Sequence, residues 1–408
     1  MRALLIGCFI FGFAGIAGAQ CPGEPPLCPP SGTGTPGFCW EPPWPCYNIY
    51  GTGSSVLLTN AGRSNYSAAA NKIAYDKPVT GYFQLWIMNS DASGQTCLTC
   101  SGATGASALP GLNAGNPHWS PDGSFIVFEA QALPSLGSAA LDEADMPGSG
   151  YNNDLWATDT MGHFWQLTSQ AGGTACSGAP CGGVIYPVFS FDGTKLAWGQ
   201  RLSPVPTWGS WELAVATWSE TGGTPAVSST TYYTPGTNAY YYEPHAFDQA
   251  GTTLFFMGNL ETGQEPASMN IYSFNLSTQV LTNLTTTLTD WNEFPTTWPS
   301  NTPYNNRLVY MSTMGTAWSG GDNTTGYSHF ECDLWSMNYD GSNKQQLTFF
   351  NTPGSAVYVP AGICLCDPSW DASASQFVIF NNWGAVYNVG QNLPAGYTGG
   401  QMWLLNIQ

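Results

Sequence analysis

Charge is scarce in this chain. Only 8% of its 408 residues are Asp, Glu, Lys or Arg; 26 are acidic and 8 basic, a net charge of −18. So few cations exclude the phosphate-tracking surface that nucleic acid or an anionic membrane requires. Histidine is rarer still, with four in all: His118, His163, His245 and His329. Familiar catalytic signatures are missing as well. There is no Gly-x-Ser-x-Gly elbow, no phosphate-binding or dinucleotide fingerprint, and no Cys-x-x-Cys-His for covalent haem. Helical periodicity is absent from every long window after the first residues, which argues against a bundle or an α/β fold. With 43% hydrophobic residues, a sizeable core is nevertheless within reach.

What is present is a repeat. Its fullest copy runs Asn116-Pro117-His118-Trp119-Ser120-Pro121-Asp122-Gly123, then the apolar stretch Phe125 to Phe128, then Asp154-Leu155-Trp156, then Trp165-Gln166-Leu167-Thr168. Pro-Asp-Gly is turn chemistry, with Pro presetting φ and Gly accepting φ > 0. The flanking runs are short and rich in β-branched or aromatic residues, as strands are. Second-strand phrases recur as Lys72-Ile73-Ala74-Tyr75, Lys195-Leu196-Ala197-Trp198, Thr253-Leu254-Phe255-Phe256, Arg307-Leu308-Val309-Tyr310 and Gln376-Phe377-Val378-Ile379. An outer-strand phrase ending in Leu-Thr appears at Leu98-Thr99, Leu167-Thr168, Leu284-Thr285 and Leu347-Thr348; the third copy is looser, with its outer strand expected at 226–233. Four-stranded sheets repeated radially make a β-propeller. The count of phrases gives six blades, the last completed by Ser55-Val56-Leu57-Leu58-Thr59 pairing beside the C-terminal strand.

Pro117 to Gly123, Phe189-Ser190-Phe191-Asp192-Gly193 and Tyr339-Asp340-Gly341 resemble the TolB-type propeller repeat, mainly a bacterial one, over roughly residues 53 to 408. The resemblance implies an all-β, six-bladed TolB-like propeller closed by an N-terminal strand. It is nearly silent on function, because this architecture hosts transport accessories, lyases, peptidase gates and binding modules alike.

Met1-Arg2, the apolar stretch Ala3 to Ile16 and Ala17-Gly18-Ala19 read as a signal peptide over 1–19, so export to the periplasm or beyond is expected, without a transmembrane segment in the mature chain. Residues 20–52 follow as a Cys/Pro-rich extension stapled by Cys21, Cys28, Cys39 and Cys46, and the propeller occupies 53–408. Cys176 and Cys181 bracket a Gly-rich loop, and Cys97-x-x-Cys100 reads as a local or neighbouring disulfide rather than a redox or metal pair. Cys364 and Cys366 are too close for an easy pair, so one of them is expected to reach Cys332. The mature cysteine count is odd, which opens the prospect of a disulfide-linked dimer. Few carboxylate pairs would be lost on acidification, so tolerance of mildly acidic conditions is expected.

First strands of propeller blades line the central channel, and residues two apart on a strand share a face. The residues flanking the repeat proline are therefore the candidate site: Asn116 and His118, Tyr186 and Val188, Glu243 and His245, Asp367 and Ser369, with Glu293 nearby. Histidines among carboxylates can hold a divalent metal or share protons. Some TolB-type propellers, the oligogalacturonate lyases, are similar in holding a divalent metal with channel histidines; His118, His245 and Glu243 would be the ligands here, and manganese or calcium the cofactor. This chain departs from that pattern by having Val188 and Thr296 where ligands would be wanted. His163 falls in a third-to-fourth-strand turn and His329 in the approach to a third strand, so neither joins. The insertions 131–153, 313–332 and 350–366 are expected to frame the site at the channel mouth, as loops on a rigid scaffold often do. Trp40, Trp44, Trp208, Trp211 and Tyr240-Tyr241-Tyr242 lie outside the repeat and are candidate platforms for sugars or protein partners. The leading expectation is non-catalytic binding of a protein or polysaccharide. The alternative is a metal-dependent lyase or hydrolase acting on acidic sugars.

Overall fold

The computed structural model describes residues 55–79, 81–100, 109–133, 146–170, 182–203, 209–236, 241–265, 268–298, 306–316, 331–355, 358, 363–370, 376–381 and 400–406. The signal peptide, the stapled extension with Cys21, Cys28, Cys39 and Cys46, and Cys176, Cys181, Trp40, Trp44, Trp208, Tyr240 and His329 lie outside them. Among the described residues no helix is long and apolar enough to cross a membrane.

The strands form four-stranded antiparallel sheets. Blade one is Ser64–Ser67, Lys72–Val79, Tyr82–Asn89 and Thr96–Cys97; blade two is Ala114–Trp119, Ile126–Gln131, Asn153–Thr158 and Phe164–Gln166. Blade three is Gly183–Phe189, Lys195–Ser203, Ser210–Thr221 and Thr224–Tyr233. Blade four is Tyr242–Phe247, Thr253–Gly258, Asn270–Asn275 and Leu281–Asn283, and blade five is Asn292–Thr297, Arg307–Ser312, Asp333–Asn338 and Gln345–Gln346. The expected count of six is corrected to five blades of consecutive strands. The remaining sheet is a composite: Leu365–Trp370, Gln376–Asn381 and Gly400–Asn406 from one end of the chain, with Ser55–Ala61 from the other. Ser55 opposes Leu404 and Ala61 opposes Gly400 in that closure.

The apolar core lies between neighbouring blades, not at the centre. Val127 and Leu155 of blade two meet Val184, Leu196, Trp198 and Ala214 of blade three in one such layer. Trp211, Tyr241 and Tyr242, which stood as candidate platforms, are buried in the next layer with Phe256 and Tyr272. They are core, and the platform reading of them is withdrawn. Alternate positions on the inner strands supply these layers, because successive side chains point to opposite faces of a blade.

The Leu-Thr phrase has a specific job. Thr348 Oγ1 donates to Asp333 Oδ1 at 2.6 Å and accepts the amide of Leu334 at 2.8 Å. Thr168 does the same with Asp154 and Leu155, and Thr285 with Asn270 and Ile271. Each hydroxyl thus replaces a ladder partner where the short outer strand stops. Thr348→Val keeps the shape but orphans a buried amide, so urea denaturation is expected to show a loss of about 1–3 kcal/mol. A loss below about 0.5 kcal/mol would mean that the hydroxyl is only a bystander.

Of the described cysteines, Cys97 pairs with Cys100 and Cys332 with Cys364, leaving Cys366 as a thiol.

Candidate functional site: a tiered channel

Five first strands carry a bulge at the repeat proline. In blade two Gly115 opposes Glu129 and His118 opposes Val127, so two residues intervene on one strand and one on the other. Equivalent irregularities fall at Ile185/Val188, Pro244/Ala246, Glu293/Thr296 and Cys366/Ser369. Proline has no N–H to lose, so the gap in the ladder is tolerated there. Four of the residues before proline adopt a left-handed backbone: Asn116 at φ 49°, Tyr186 at 52°, Phe294 at 53° and Asp367 at 55°. That conformation costs bulky residues about 1–3 kcal/mol and persists only where the surroundings enforce it.

For Asn116 and Tyr186 the enforcement comes from the second strand of the preceding blade. Asp76 Oδ2 accepts the amide of Asn116 at 2.9 Å, and Glu129 Oε1 accepts the amide of Tyr186 at 2.9 Å. Glu129 also receives Asn116 Nδ2 at 2.6 Å and the amide of Gly148 at 2.8 Å. Gly115 has to be glycine, because a Cβ there would lie 2.5 Å from the Asp76 side chain. Sequence reasoning missed Asp76 and Glu129, although each is the lone acid of its second strand.

Register stacks the channel in tiers. The open tier is a cavity of about 450 Å³ walled by the first strand of blade one, Ser64–Ser67, and by the C-terminal halves of the others, with His118, Val188, His245, Thr296 and Ser369. His118, Tyr186, His245, Phe294 and Asp367 also line it. Tyr186 is the hub of this group. Its ring meets His118 at 4.7 Å and His245 at 4.1 Å edge-on, and its hydroxyl donates to Asp367 Oδ1 at 2.5 Å. Burial pushes His118 down to about 3, and burial together with His118 holds His245 well below its ordinary value, so both imidazoles are neutral. Burial pushes Asp367 up to about 6 against the pull of Arg63.

Beneath it lies an acidic tier. Glu243, with Tyr241 donating to its Oε2 at 2.5 Å, and Glu293, with Trp291 Nε1 donating to its Oε2 at 2.6 Å, project from adjacent blades. Burial drives both carboxyls well above their usual range, and Glu293 raises Glu243 further. Arg63 is the cation of this tier: its Nε is 3.8 Å from Asp367 Oδ2, and Nη1 donates to Pro147 O at 2.6 Å. It was not foreseen as a site residue, since it stands before its strand and outside the repeat phrase.

The predicted set is therefore only partly one cluster. The ligand-capable atoms of Glu243, His245 and Glu293 lie within 4.8 Å of one another, and His118 is not among them. His118 turns instead to Tyr186, while Asn116 is used up in holding Glu129. His163 pairs with Asp159 on the surface. The insertions are also misplaced by the sequence reading. Ala114 opposes Ala130 and Asn292 opposes Ser312, so the loops that leave Gln131 and Ser312 depart from the N-terminal ends of the first strands. Their described ends mark the mouth opposite the cavity.

No known family's sequence pattern matches the chain, and no characterised protein matches it in sequence. Solved structures with a similar arrangement include TolB from Acinetobacter baumannii, 12% identical over 84% of this chain and 66% of that one, TM-score 0.43. An oligogalacturonate lyase in complex with manganese is 12% identical over 89% of this chain and 96% of that one, TM-score 0.43. A gluconolactonase from Xanthomonas campestris is 12% identical over 89% of this chain and 94% of that one, TM-score 0.46. These are likenesses of fold.

Proposed function

We propose that the protein is an exported binding scaffold whose channel cavity takes a neutral, hydroxyl-rich ligand, the end of a polysaccharide chain. The observation that carries this reading is the composition of the cavity wall. Ser and Thr residues line it together with Phe191, which is 41% exposed, and no Lys or Arg is among its lining residues. Sugars are recognised in that way, with aromatic faces under the ring's C–H groups and hydroxyls or indole N–H groups on its edges. An anionic sugar would meet Asp367 and a net charge of −18 with no basic side chain to receive it. Burial lowers the basicity of both imidazoles below the range useful to a general base at neutral pH, and the Asp367 carboxylate is engaged by the Tyr186 hydroxyl.

The test is a screen of the oxidised protein, stripped of metal ions, on immobilised neutral and uronate oligosaccharides. Binding confined to neutral chains is expected. Retention of uronate chains alone would overturn the reading, as would cleavage of any chain in the screen.

A further inference from the structure

We propose that the outer strand of blade three, Thr224–Tyr233, is a docking edge for a second copy of this chain, the two strands pairing antiparallel about a two-fold axis. This goes beyond the ligand-binding reading and does not depend on it. The strand is out of proportion to its place. It has 10 residues, whereas the outer strands of blades one, two, four and five have two or three. It stands last in its sheet, and no described strand pairs with its free edge. Nearly all its side chains are exposed or half-buried, so the added length contributes little to the core. Edges of this length are usually blunted by charge, above all by Lys. Here no charged residue occurs between Glu220 and Glu243. A net charge of −18 sets two copies against each other across most faces, and this neutral edge is where they can meet.

The strand is also complementary to itself. Read antiparallel about the middle of 226–233, it sets Val227 against Tyr232 of the partner subunit and Ser228 against Thr231 of the partner subunit. A β-branched group beside an aromatic ring, and a hydroxyl beside a hydroxyl, are favourable cross-strand pairs. Val227 and Tyr232 are five residues apart and would point to opposite faces of a regular strand. A bulge corrects this. Thr217 opposes Ser228 and Val215 opposes Thr231, so Ser229 and Thr230 together face Ala216, and Ser229 takes φ 50°. Val227 therefore lies opposite Trp218 and Tyr232 opposite Ala214, two residues that pack in the same layer between blades two and three.

Main-chain polarity agrees with that register. The Trp218 amide donates to Thr194 O, away from the outer strand, so Val227 opposite it turns its own N–H and C=O to the free edge. Ala214 stands four residues before Trp218 on a strand that pairs regularly with its inner neighbour there, so Tyr232 does likewise. Val227 and Tyr232 of the partner subunit thus exchange hydrogen bonds in both directions, and the two-fold axis repeats the pair. Pro225 has no N–H to offer and ends the pairing at Ala226.

The interface is small, so association is weak, with half the chain dimeric at roughly 100 µM. The experiment follows the full oxidised chain by sedimentation equilibrium from about 10 to about 500 µM, at low and at high salt. A monomer–dimer equilibrium is expected, about threefold tighter or more in high salt, because screening relieves the repulsion between copies. Tyr232→Pro removes the outward N–H and no bond to the inner strand, and should be a folded monomer by circular dichroism and sedimentation. Ser229→Asp, which a left-handed backbone tolerates, sets two carboxylates together at the axis and should also be monomeric. Val280→Ser changes an exposed apolar residue of blade four and should dimerise as wild type does. Wild-type protein that stays monomeric throughout would overturn the proposal and leave the edge to an extended segment of another protein. So would a dimer that persists in both folded edge variants, or one lost equally in Val280→Ser. A dimer that survives denaturation without reductant is joined by cysteine and overturns it too.

Discussion

Arg63→Gln is expected to destabilise the protein by roughly 3–5 kcal/mol at pH 8, because it strips the cation from a buried acidic tier. The guanidinium is the shared positive neighbour that lowers the pKa of Asp76, Glu129, Glu243, Glu293 and Asp367. It also ties the blade-one strand to the Pro147 carbonyl, so the loss has a hydrogen-bond component. Glutamine keeps one donor and much of the length, which isolates the charge. At pH 5 the neighbouring carboxyls take up protons, and the penalty should shrink to about half or less. Urea denaturation at the two pH values measures both numbers. A loss under about 1 kcal/mol at pH 8 would show that the tier is not held by this residue.

Stability of the metal-free protein should fall as pH rises from about 4.5 to about 8. Burial raises Asp76 from 3.8 to about 7, Glu129 from 4.5 to about 6 and Asp367 from 3.8 to about 6. For each the folded pKa exceeds the unfolded one, so the native state binds more protons across that window. The stabilising contribution is complete below pH 4 and is lost as pH climbs through the folded values. Surface carboxylates act the other way. Asp192 is lowered to about 2, chiefly by the Ser190 hydroxyl, so its contribution disappears only under strong acid. The optimum therefore lies near pH 4–5. At about 1.4 kcal/mol per pH unit for each proton, the decline is several kcal/mol, on the order of 10 °C in melting temperature. Asp367→Asn should flatten part of it, since the amide oxygen still accepts from Tyr186. A melting temperature that is level or rising from pH 4.5 to 8 in chelator would contradict the raised carboxyls. The sparse charge of the sequence led to an expectation of acid tolerance, and the raised carboxyls of the buried tier lead to the same expectation by a different route.

The strands were readable because their apolar phrases are short, repeated and punctuated by Asp-Gly turns, as at Asp122-Gly123 and Asp192-Gly193. The Pro-centred phrase likewise marked His118, Tyr186, His245 and Asp367 as channel residues, since every copy occupies the same register. What escaped was the partner of two of the bulges. Asp76 and Glu129 alternate into their strands as exposed charges would, and only the neighbouring blade shows that they cap Asn116 and Tyr186. The replacement of His118 by Glu293 in the metal-capable group was hidden by the bulges, which rotate side chains out of simple alternation. The insertions were placed beside the site although the connectivity held the answer: tight Asp-Gly turns join first to second strands, so the long insertions had to lie at the other end.

Which mouth binds is the most direct question to put to the molecule. Thr296→Trp narrows the cavity without touching the acidic tier, and Thr262→Trp places the same bulk on an exposed loop at the opposite mouth. Both folded variants are compared with wild type for retention on the neutral oligosaccharides that the wild type holds. Retention lost in Thr296→Trp and kept in Thr262→Trp is the expected result. Retention lost only in Thr262→Trp would place recognition among the insertions and contradict the cavity as the binding site.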